Sequence, residues 1–209
     1  DDGRNIPFDG LVIATGASPR HLPGSDGLAG VHVLRTLEDC LAIRADLDAS
    51  PGRVVVVGAG FIGSEVAATC RQQGHAVTVV EALPVPMERI VGTDLGSLSA
   101  DLHRDHGVQV RLGVGVEALE GGDRVERLRL SDGTVVDADV VVVGIGVTPA
   151  TGWLEGSGLA LDNGVVCDET LLAAPGIVAA GDIARWPNAR FGEVMRVEHW
   201  ENALDQGAA

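Results

Sequence analysis

Apolar residues along this chain form short, nearly unbroken runs separated by glycines. Arg53-Val-Val-Val-Val57, Ala76-Val-Thr-Val-Val80 and Asp139-Val-Val-Val-Val143 are typical of strands buried on both faces of a parallel sheet. A helix is predicted between the first two runs, from near Phe61 through Gln73, with Gly74 at its carboxyl end. Strand, glycine turn, helix and strand together predict a right-handed βαβ unit.

The segment before the first valine run predicts one strand and one helix. Phe8–Ala14 is predicted to be a strand. Thr36-Leu-Glu-Asp39 resembles a capping box and predicts a helix that runs towards Leu47. Ala49-Ser-Pro-Gly52 then breaks the pattern, which predicts a domain boundary at this point.

The segment after the second run is predicted to be a helix followed by short strands. Three leucines recur at helical spacing, and a glycine ends the helix: Leu95, Leu98, Leu102 and Gly107. The strands are expected at Val108–Leu112, Arg127–Leu130 and Val135–Val136, the last two joined by a turn at Asp132-Gly133. Gly52 to about Pro149 is therefore predicted to form one compact doubly wound domain, flanked by pieces of a second domain.

Composition and charge exclude several classes of protein. Of the 209 residues 45% are hydrophobic but only 3% aromatic, so the core must be aliphatic. The formal net charge is −15 and Lys and Arg do not cluster, which argues against a nucleic-acid binder. No apolar run reaches the ~18 residues needed to cross a membrane. A start without methionine, inside a strand-like pattern, predicts that the chain is a fragment.

The cysteines predict neither a disulfide framework nor a metal site. Cys40, Cys70 and Cys167 are odd in number, widely spaced and without a C-x-x-C motif. We expect buried, reduced thiols and a cytoplasmic location.

The strongest chemical signal is a dinucleotide-binding fingerprint after the first valine run. Gly58 permits the tight turn, Gly60 lets backbone approach a pyrophosphate, and Gly63 lets the helix pack closely on the sheet. The phosphates are expected at the positive end of the helix that begins near Phe61 and Ile62. The context of strand, helix and second strand makes this motif far more specific than the glycines alone.

Glu81, at the end of the second strand, predicts the choice of cofactor. A carboxylate at this position accepts both ribose hydroxyls and repels a 2′-phosphate, so NAD is favoured over NADP. Arg89 is the alternative, because it would favour NADP if it turned towards the phosphate.

Six motifs follow one another along the chain: Leu11–Arg20, Leu34–Asp39, Gly58–Glu65, Gly146-Val-Thr-Pro149, Ala180-Gly-Asp182 and Arg196–Ala203. In this order they resemble the FAD-dependent pyridine-nucleotide oxidoreductases, most closely the ferredoxin/rubredoxin–NAD⁺ reductase subgroup. The similarity covers the whole chain and implies an α/β fold in which a Rossmann-like NAD-binding domain is inserted in a split FAD-binding domain. By this resemblance residues 1–36 and 150–209 belong to the FAD domain, 37–51 to a linker helix and 52–149 to the NAD domain.

The resemblance also implies roles for residues that the βαβ pattern does not reach. Thr15 and Gly16 mark the crossing between domains, and Gly146 belongs to the cofactor site. Arg20 and Arg35 match positions near FAD, although surface arginines are equally common. Gly181 and Asp182 are also implied to lie at the flavin, and Asp182 matches the carboxylate that binds the flavin ribityl chain. Asp182 is equally compatible with a helix N-cap.

Two residues are expected close to the reacting rings. Trp200 matches a position that lines the flavin, at the start of a helix over Trp200–Gly207 whose positive end could stabilise a reduced flavin. Glu65 matches a residue that faces the nicotinamide ribose and positions the ring. The alternatives are ordinary packing for Trp200 and a simple helix-dipole contact for Glu65. His199 is expected to be a polar loop residue.

The implied activity is hydride transfer from NADH to FAD, followed by single-electron transfer to a [2Fe-2S] ferredoxin or a rubredoxin, for an oxygenase or cytochrome P450 system. An NADH oxidase or flavin disulfide reductase of the same superfamily remains an alternative, as does an NAD-binding redox sensor similar to apoptosis-inducing factor. The first FAD βαβ unit and the carboxy-terminal interface domain of the family have no counterpart in the chain. We therefore expect the chain alone to bind NADH but to hold FAD poorly.

Overall fold

A computed structural model describes residues 3–49 and 52–209. The predicted break at Ser50-Pro51 lies outside the described residues. Numbered in chain order, the strands and helices are β1 Leu11–Ile13, β2 Ala17–Pro19, β3 Val31–Val33, α1 Leu37–Ala49, β4 Arg53–Val57, α2 Phe61–Gln72, β5 Ala76–Glu81, α3 Glu88–Asp105, β6 Gln109–Leu112, β7 Val116–Gly121, β8 Val125–Leu130, β9 Val135–Asp137, β10 Val140–Val143, β11 Val147–Pro149, β12 Val165–Val166, β13 Leu172–Ala174, β14 Ile177–Ala179, β15 Ala184–Asn188, β16 Glu193–Met195 and α4 Trp200–Ala208.

The chain folds into two compact units. The central unit is Pro19–Gly146, and the flanking unit combines Asp1–Ser18 with Val147–Ala209. The chain thus leaves the flanking unit and returns to it, as expected for an inserted domain. The boundary on the amino-terminal side differs from the prediction, which placed it at residue 52 after a linker helix.

The boundary moves because the segment before residue 52 is part of the central core. β3 pairs in parallel with β10, and Ile43 and Leu47 of α1 are buried in the same cluster as Val54. No strand was predicted at β3, since three residues are too few to show a period. The helix predicted as a linker is therefore a structural helix of the central unit.

The valine runs form the middle of the central unit, as predicted. They lie in a parallel sheet of order β3-β10-β4-β5-β6, and Val54–Val57 pairs with Val77–Val80 on one side and Val140–Val143 on the other. Alternate valines of these strands face opposite clusters, so both faces of the sheet are buried. This arrangement explains why the runs are continuous rather than alternating.

The two faces of the central sheet are covered differently. α1 and α2 pack on one face, whereas Leu128 and Leu130 of an antiparallel sheet of order β7-β8-β9 pack on the other. The doubly wound prediction, with helices on both faces, is wrong for this second face. The hairpin around Asp132-Gly133 was predicted correctly, but β7 was missed because its sequence lacks an alternating pattern.

The leucines that predicted α3 lie on its outer side. Leu95, Leu98 and Leu102 are each more than half exposed, while Gly96 and Ala100 are buried. The buried side is formed by small residues because Gly96 packs directly against the backbone of Pro86. Spacing therefore predicted the helix but not the face that it buries.

α1 begins with the predicted capping box, in which an aspartate replaces the usual glutamate. The Thr36 hydroxyl accepts a hydrogen bond from the Asp39 N–H (3.2 Å), and Asp39 Oδ2 accepts from the N–H groups of Thr36 (2.8 Å) and Arg35 (2.9 Å). The bond from the Thr36 N–H is the main reason that the pKa of Asp39 lies below its usual value.

Replacing Asp39 with alanine is expected to lower the free energy of unfolding by about 1 kcal/mol at neutral pH. Because the pKa of Asp39 is lowered in the folded state, its contribution is present above about pH 4 and is lost as the pH falls through the lowered value. Urea unfolding at several pH values measures this. Asp48→Ala, at the far end of α1, is the control, and an equal effect of both changes would contradict a capping role.

The flanking unit has its own small sheets and core. β1, β14 and β13 form one sheet and β12, β15 and β16 another. Ile13 of β1, Val165 of β12 and Ile183 are buried in one apolar cluster. α4 packs against the 3-10 turn Gly181–Ile183, and the predicted helix over Trp200–Gly207 is thereby confirmed.

Candidate functional site

The glycine loop after β4 has the geometry that its sequence predicts. Gly58 has φ +99°, and a Cβ there would collide with the carbonyl oxygen of Gly144. A Cβ at Gly63 would collide with the carbonyl oxygen of Gly58, because α2 crosses directly over the loop. Gly58 therefore requires glycine both for its backbone conformation and for space, whereas Gly63 requires it for space alone.

Gly60 differs from its two neighbours because it faces open space. It is the N-cap of α2 in an extended conformation (φ −75°, ψ −171°), and a Cβ added there would have no neighbour within 4 Å. Among the described residues, no side-chain hydrogen bond caps this end of α2. Phe61 and Ile62, which follow, are exposed. The start of α2 thus presents backbone N–H groups and the positive end of the helix to a ligand.

Glu81 is held beside this loop by two backbone groups. Its Oε2 accepts a hydrogen bond from the Ala59 N–H (2.7 Å), and its Oε1 accepts from the Leu83 N–H (2.9 Å). The carboxylate is partly buried and therefore has a fixed place at the end of β5. Each oxygen keeps a second lone pair with which it can accept a ribose hydroxyl.

These groups surround a cleft of about 550 Å³ at the carboxyl ends of the central strands. In this sheet the cleft opens where the strand order reverses, between β4 and β10, which is the usual ligand position in open α/β sheets. The lining consists of Arg20, Leu22, Val57, Gly58, Gly60, Val80, Glu81, Ala82, Leu83, Val114, Gly115, Val116, Gly144, Ile145 and Gly146. Leu22 and Val114–Val116 were not anticipated, since nothing in their sequence marks them.

Two predicted residues enter the cleft from its edge. The Arg20 N–H donates a hydrogen bond to the carbonyl oxygen of Gly146 (3.0 Å), and both residues line the cleft. Gly146 has φ +92°, which explains the glycine at this turn. The resemblance placed Arg20 near FAD, whereas the structure places it in the central unit beside the glycine loop.

Other predicted residues of the central unit lie away from the cleft. Glu65 is exposed and lines a separate cavity of about 330 Å³ between α1 and α2, together with Cys40 and Arg44. Arg89 is exposed on α3 and does not line the glycine-loop cleft. Arg35 lies at the start of α1, where its N–H joins the capping box. The structure therefore groups the fingerprint with Glu81, but not with these three.

In the flanking unit the predicted residues fall into two places. Thr15 Oγ1 donates to the carbonyl oxygen of Ala150 (3.3 Å), and Gly16 has φ +66°. Gly181 has φ +76°, and its N–H donates to Oε1 of Gln206 on α4 (2.7 Å). This second bond holds the turn that contains Asp182 against α4.

The start of α4 presents an exposed tryptophan. Trp200 is 80% exposed. The preceding His199 is the N-cap, and its Nδ1 accepts a hydrogen bond from the Glu201 N–H (3.2 Å). His199 thus has a structural partner at the helix end, in a tautomer that leaves Nδ1 free of a proton.

The thiols and acidic groups form no metal site in the part of the chain that the structure describes. Burial raises the pKa of the Cys70 and Cys167 thiols, and Cys40 is exposed. Within the same residues, no helix is both long and apolar enough to span a bilayer.

The central unit has a glycine-loop cleft at the edge of a parallel sheet, and it is inserted between the two segments of the flanking unit. These features define a two-unit α/β protein of the dinucleotide-binding class. The chain belongs to the pyridine nucleotide-disulphide oxidoreductase family, which it matches over residues 1–207. The resemblance drawn from the motifs is thereby confirmed.

Its relatives include reductases of oxygenase systems. The chain is 45% identical over 208 residues to the ferredoxin–NAD⁺ reductase component of the p-cumate 2,3-dioxygenase system of Pseudomonas putida, covering 98% of this chain and 50% of that protein. The ferredoxin reductase of the CYP199A2 system from Rhodopseudomonas palustris is 42% identical, with a TM-score of 0.93 over 98% of this chain and 51% of that one. The covalent putidaredoxin reductase–putidaredoxin complex gives 37% identity and a TM-score of 0.94 over 99% of this chain and 51% of that one. The chain therefore spans about half the length of these relatives.

Proposed function

We propose that the central unit binds NADH in the glycine-loop cleft. The observation that carries this proposal is the pairing of open space at Gly60 with a fixed carboxylate at Glu81. The pyrophosphate fits the start of α2, because its backbone N–H groups and helix dipole attract anions. The adenosine ribose fits beside Glu81, which leaves Arg20 at the edge of the same cleft.

We propose further that the flanking unit contributes to an FAD site. Two features fit a flavin: the left-handed turn that brings Asp182 against α4, and the exposed Trp200 at the positive end of that helix. Thr15 and Gly16 would lie where the chain leaves this unit, and Arg35 stays a candidate contact. When bound, FAD supplies hydride acceptance from NADH and one-electron release.

The residues of this chain then act by positioning rather than by proton transfer. Gly58–Gly63 and Glu81 fix the dinucleotide, and Trp200 offers a flat apolar surface to a ring. Glu65 stays the candidate for positioning the nicotinamide. Hydride transfer itself requires no general acid, so alignment of the two rings is the main contribution of the protein.

The proposed acceptor is a [2Fe-2S] ferredoxin or a rubredoxin that serves an oxygenase or a cytochrome P450. Support comes from the Pseudomonas putida and Rhodopseudomonas palustris relatives, which are reductases of such systems. We propose the cytoplasm as the location, since NADH and reduced thiols are both found there.

The experiment uses the protein containing this chain, loaded with FAD and kept anaerobic. NADH is expected to bleach the flavin absorbance near about 450 nm, and a [2Fe-2S] ferredoxin is expected to restore it. Flavin that NADH leaves unbleached would overturn the proposal. Reoxidation by oxygen or by a disulfide, but not by ferredoxin or rubredoxin, would instead identify an oxidase or a disulfide reductase.

The 209-residue chain alone gives a separate prediction. Mixed with FAD and NADH, it is expected to bind NADH while most of the flavin stays oxidised, because the chain spans about half the length of the reductases that it matches. Absorbance near about 450 nm measures the oxidised flavin. Complete bleaching would show that the chain holds FAD without further segments.

A further inference from the structure

Arg196 is a nearly buried cation in the flanking unit. It lies between β16 and α4, and its side chain is only 7% exposed. The sequence motif Arg196–Ala203 includes it, but neither the fingerprint nor the resemblance gave it a role. A buried guanidinium has to be paired, so its partners indicate what it does.

The partners of Arg196 come from three separate segments. Its Nη1 donates to the main-chain oxygen of Asp182 (2.9 Å), and its Nη2 donates to Oε1 of Glu198 (2.7 Å). Nη2 also lies 3.4 Å from Oδ1 of Asn163. One planar group therefore connects the Asp182 turn, the Asn163 turn and the segment between β16 and α4.

This arrangement is poorly explained by stability alone. Nε of Arg196 is buried and has no hydrogen-bond partner among the described residues. A buried ion pair with an unpaired donor is commonly no more stable than well-packed apolar side chains of similar volume. A positioning role accounts for the retained charge.

The backbone nearby leaves room for this side chain. Gly164 has φ +135°, and a Cβ there would lie 3.1 Å from Cδ of Arg196 and 2.6 Å from the main-chain oxygen of Ile183. The glycine thus lets the aliphatic stem of Arg196 pass against the turn that contains Asp182. The Arg196 side chain is consequently held at its guanidinium and along its aliphatic stem.

We propose that Arg196 is a positioning residue that fixes the Asp182 turn relative to Glu198 and the start of α4. This inference rests on the proposed flavin site. Asp182 and Trp200 can act on one ligand only if their two segments keep a constant spacing. The Arg196 bonds hold one side of this arrangement, and the bond from Gly181 to Gln206 holds the other.

The test compares Arg196→Met with Arg196→Lys and with a control, Arg185→Met. Arg185 lies on β15 in the same unit, donates to the main-chain oxygen of Asp162 (3.0 Å) and forms an ion pair with the Asp162 carboxylate. Among the described residues its side chain makes no hydrogen bond or ion pair with Asp182 or Glu198. The methionine removes the donors and keeps the stem, whereas lysine restores the charge and single hydrogen bonds without the planar fork. All variants are made in the 209-residue chain and in the FAD-loaded protein that contains it.

Two measurements separate positioning from general damage. In the chain, Arg196→Met is expected to speed amide hydrogen exchange at residues 180–183 and 198–203, while Arg185→Met leaves these residues unchanged. In the FAD-loaded protein, Arg196→Met is expected to raise the FAD dissociation constant about tenfold. Arg196→Lys should restore most of the affinity, and the KM for NADH should stay unchanged because its cleft lies in the central unit.

The outcomes are distinct. An FAD affinity lowered equally by Arg196→Met and Arg185→Met, or lowered without faster exchange at residues 180–183, would overturn the inference. Failure of lysine to restore any affinity in a folded variant would also contradict it. If NADH fails to reduce the wild-type flavin, the proposed function is wrong, while the exchange data still decide whether Arg196 fixes the turn.

Discussion

Gly63→Ala is expected to destabilise the central unit by about 3 kcal/mol, whereas Gly60→Ala is expected to leave it folded and to weaken NADH binding. The two residues lie three positions apart in one loop but meet different surroundings. A Cβ at Gly63 collides with the backbone of Gly58, so α2 must shift away from β4. A Cβ at Gly60 meets open space in the free protein, and its conformation (φ −75°) suits alanine.

Thermal unfolding and a fluorescence titration with NADH measure the two effects separately. For a chain of this length, about 3 kcal/mol corresponds to a fall in Tm of roughly 6–12 °C. Gly60→Ala should cost at most about 1 kcal/mol of stability, as for other N-cap changes, but raise the Kd for NADH at least about tenfold. Gly122→Ala is the control, because Gly122 lies outside the cleft and also meets no neighbour within 4 Å. Unchanged NADH affinity in Gly60→Ala would mean that the pyrophosphate does not approach this residue.

Glu81→Gln is expected to weaken NADH binding by about tenfold to a hundredfold and to abolish most of the discrimination against NADPH. The amide has one oxygen where the carboxylate has two, so the N–H of Ala59 or of Leu83 loses its acceptor. The loop then loses a fixed contact at the same time as the ribose loses a charged acceptor. In the wild type, a 2′-phosphate would bring a charge of about −1.5 to −2 next to the carboxylate, which disfavours NADPH.

The Kd values of NADH and of NADPH are measured for the wild type and for Glu81→Gln. Glu126→Gln, an exposed change on β8, is the matched control for loss of one negative charge. Equal affinity of the wild-type chain for the two nucleotides would contradict the role of Glu81. Strong NADPH binding that disappears in Arg89→Ala would then favour Arg89 as the phosphate contact.

The parts of this fold that the sequence predicts well are those whose cause is local. The continuous valine runs of this chain are buried on both sheet faces, so β4, β5 and β10 could be placed from the local sequence pattern alone. The glycine loop could be predicted because a side chain at Gly58 or Gly63 would collide with nearby backbone, while Gly60 leaves open the space that a bound pyrophosphate needs. The capping box at Thr36 and Asp39 is local in the same sense.

The parts that it misses depend on contacts distant in sequence. β3 is a strand because β10, more than a hundred residues later, pairs with it. The antiparallel sheet over the second face could not be assigned, since a hairpin pattern does not specify the surface on which it packs. For the same reason α1 was taken as a linker, although Ile43 and Leu47 enter the central core.

The candidate site shows the same division. Gly58, Gly60, Gly63 and Glu81 were predicted to act together. The structure brings Gly58, Gly60 and Glu81 to one cleft, and Gly63 is buried where α2 packs against the loop. The backbone partners of Glu81 and the arrival of Arg20 could not be foreseen, because turns rather than side-chain types determine them. Roles for Glu65, Asp182 and Trp200 came from resemblance, and they remain proposals.

The most direct test of NADH binding is amide hydrogen exchange of the 209-residue chain, measured with and without saturating NADH. Slower exchange is expected at residues 59–64, 81–83 and 144–146, since these segments line the glycine-loop cleft or form the start of α2. NADPH at the same concentration should give little protection. Absence of protection by NADH, or protection confined to residues outside these three segments, would contradict the account.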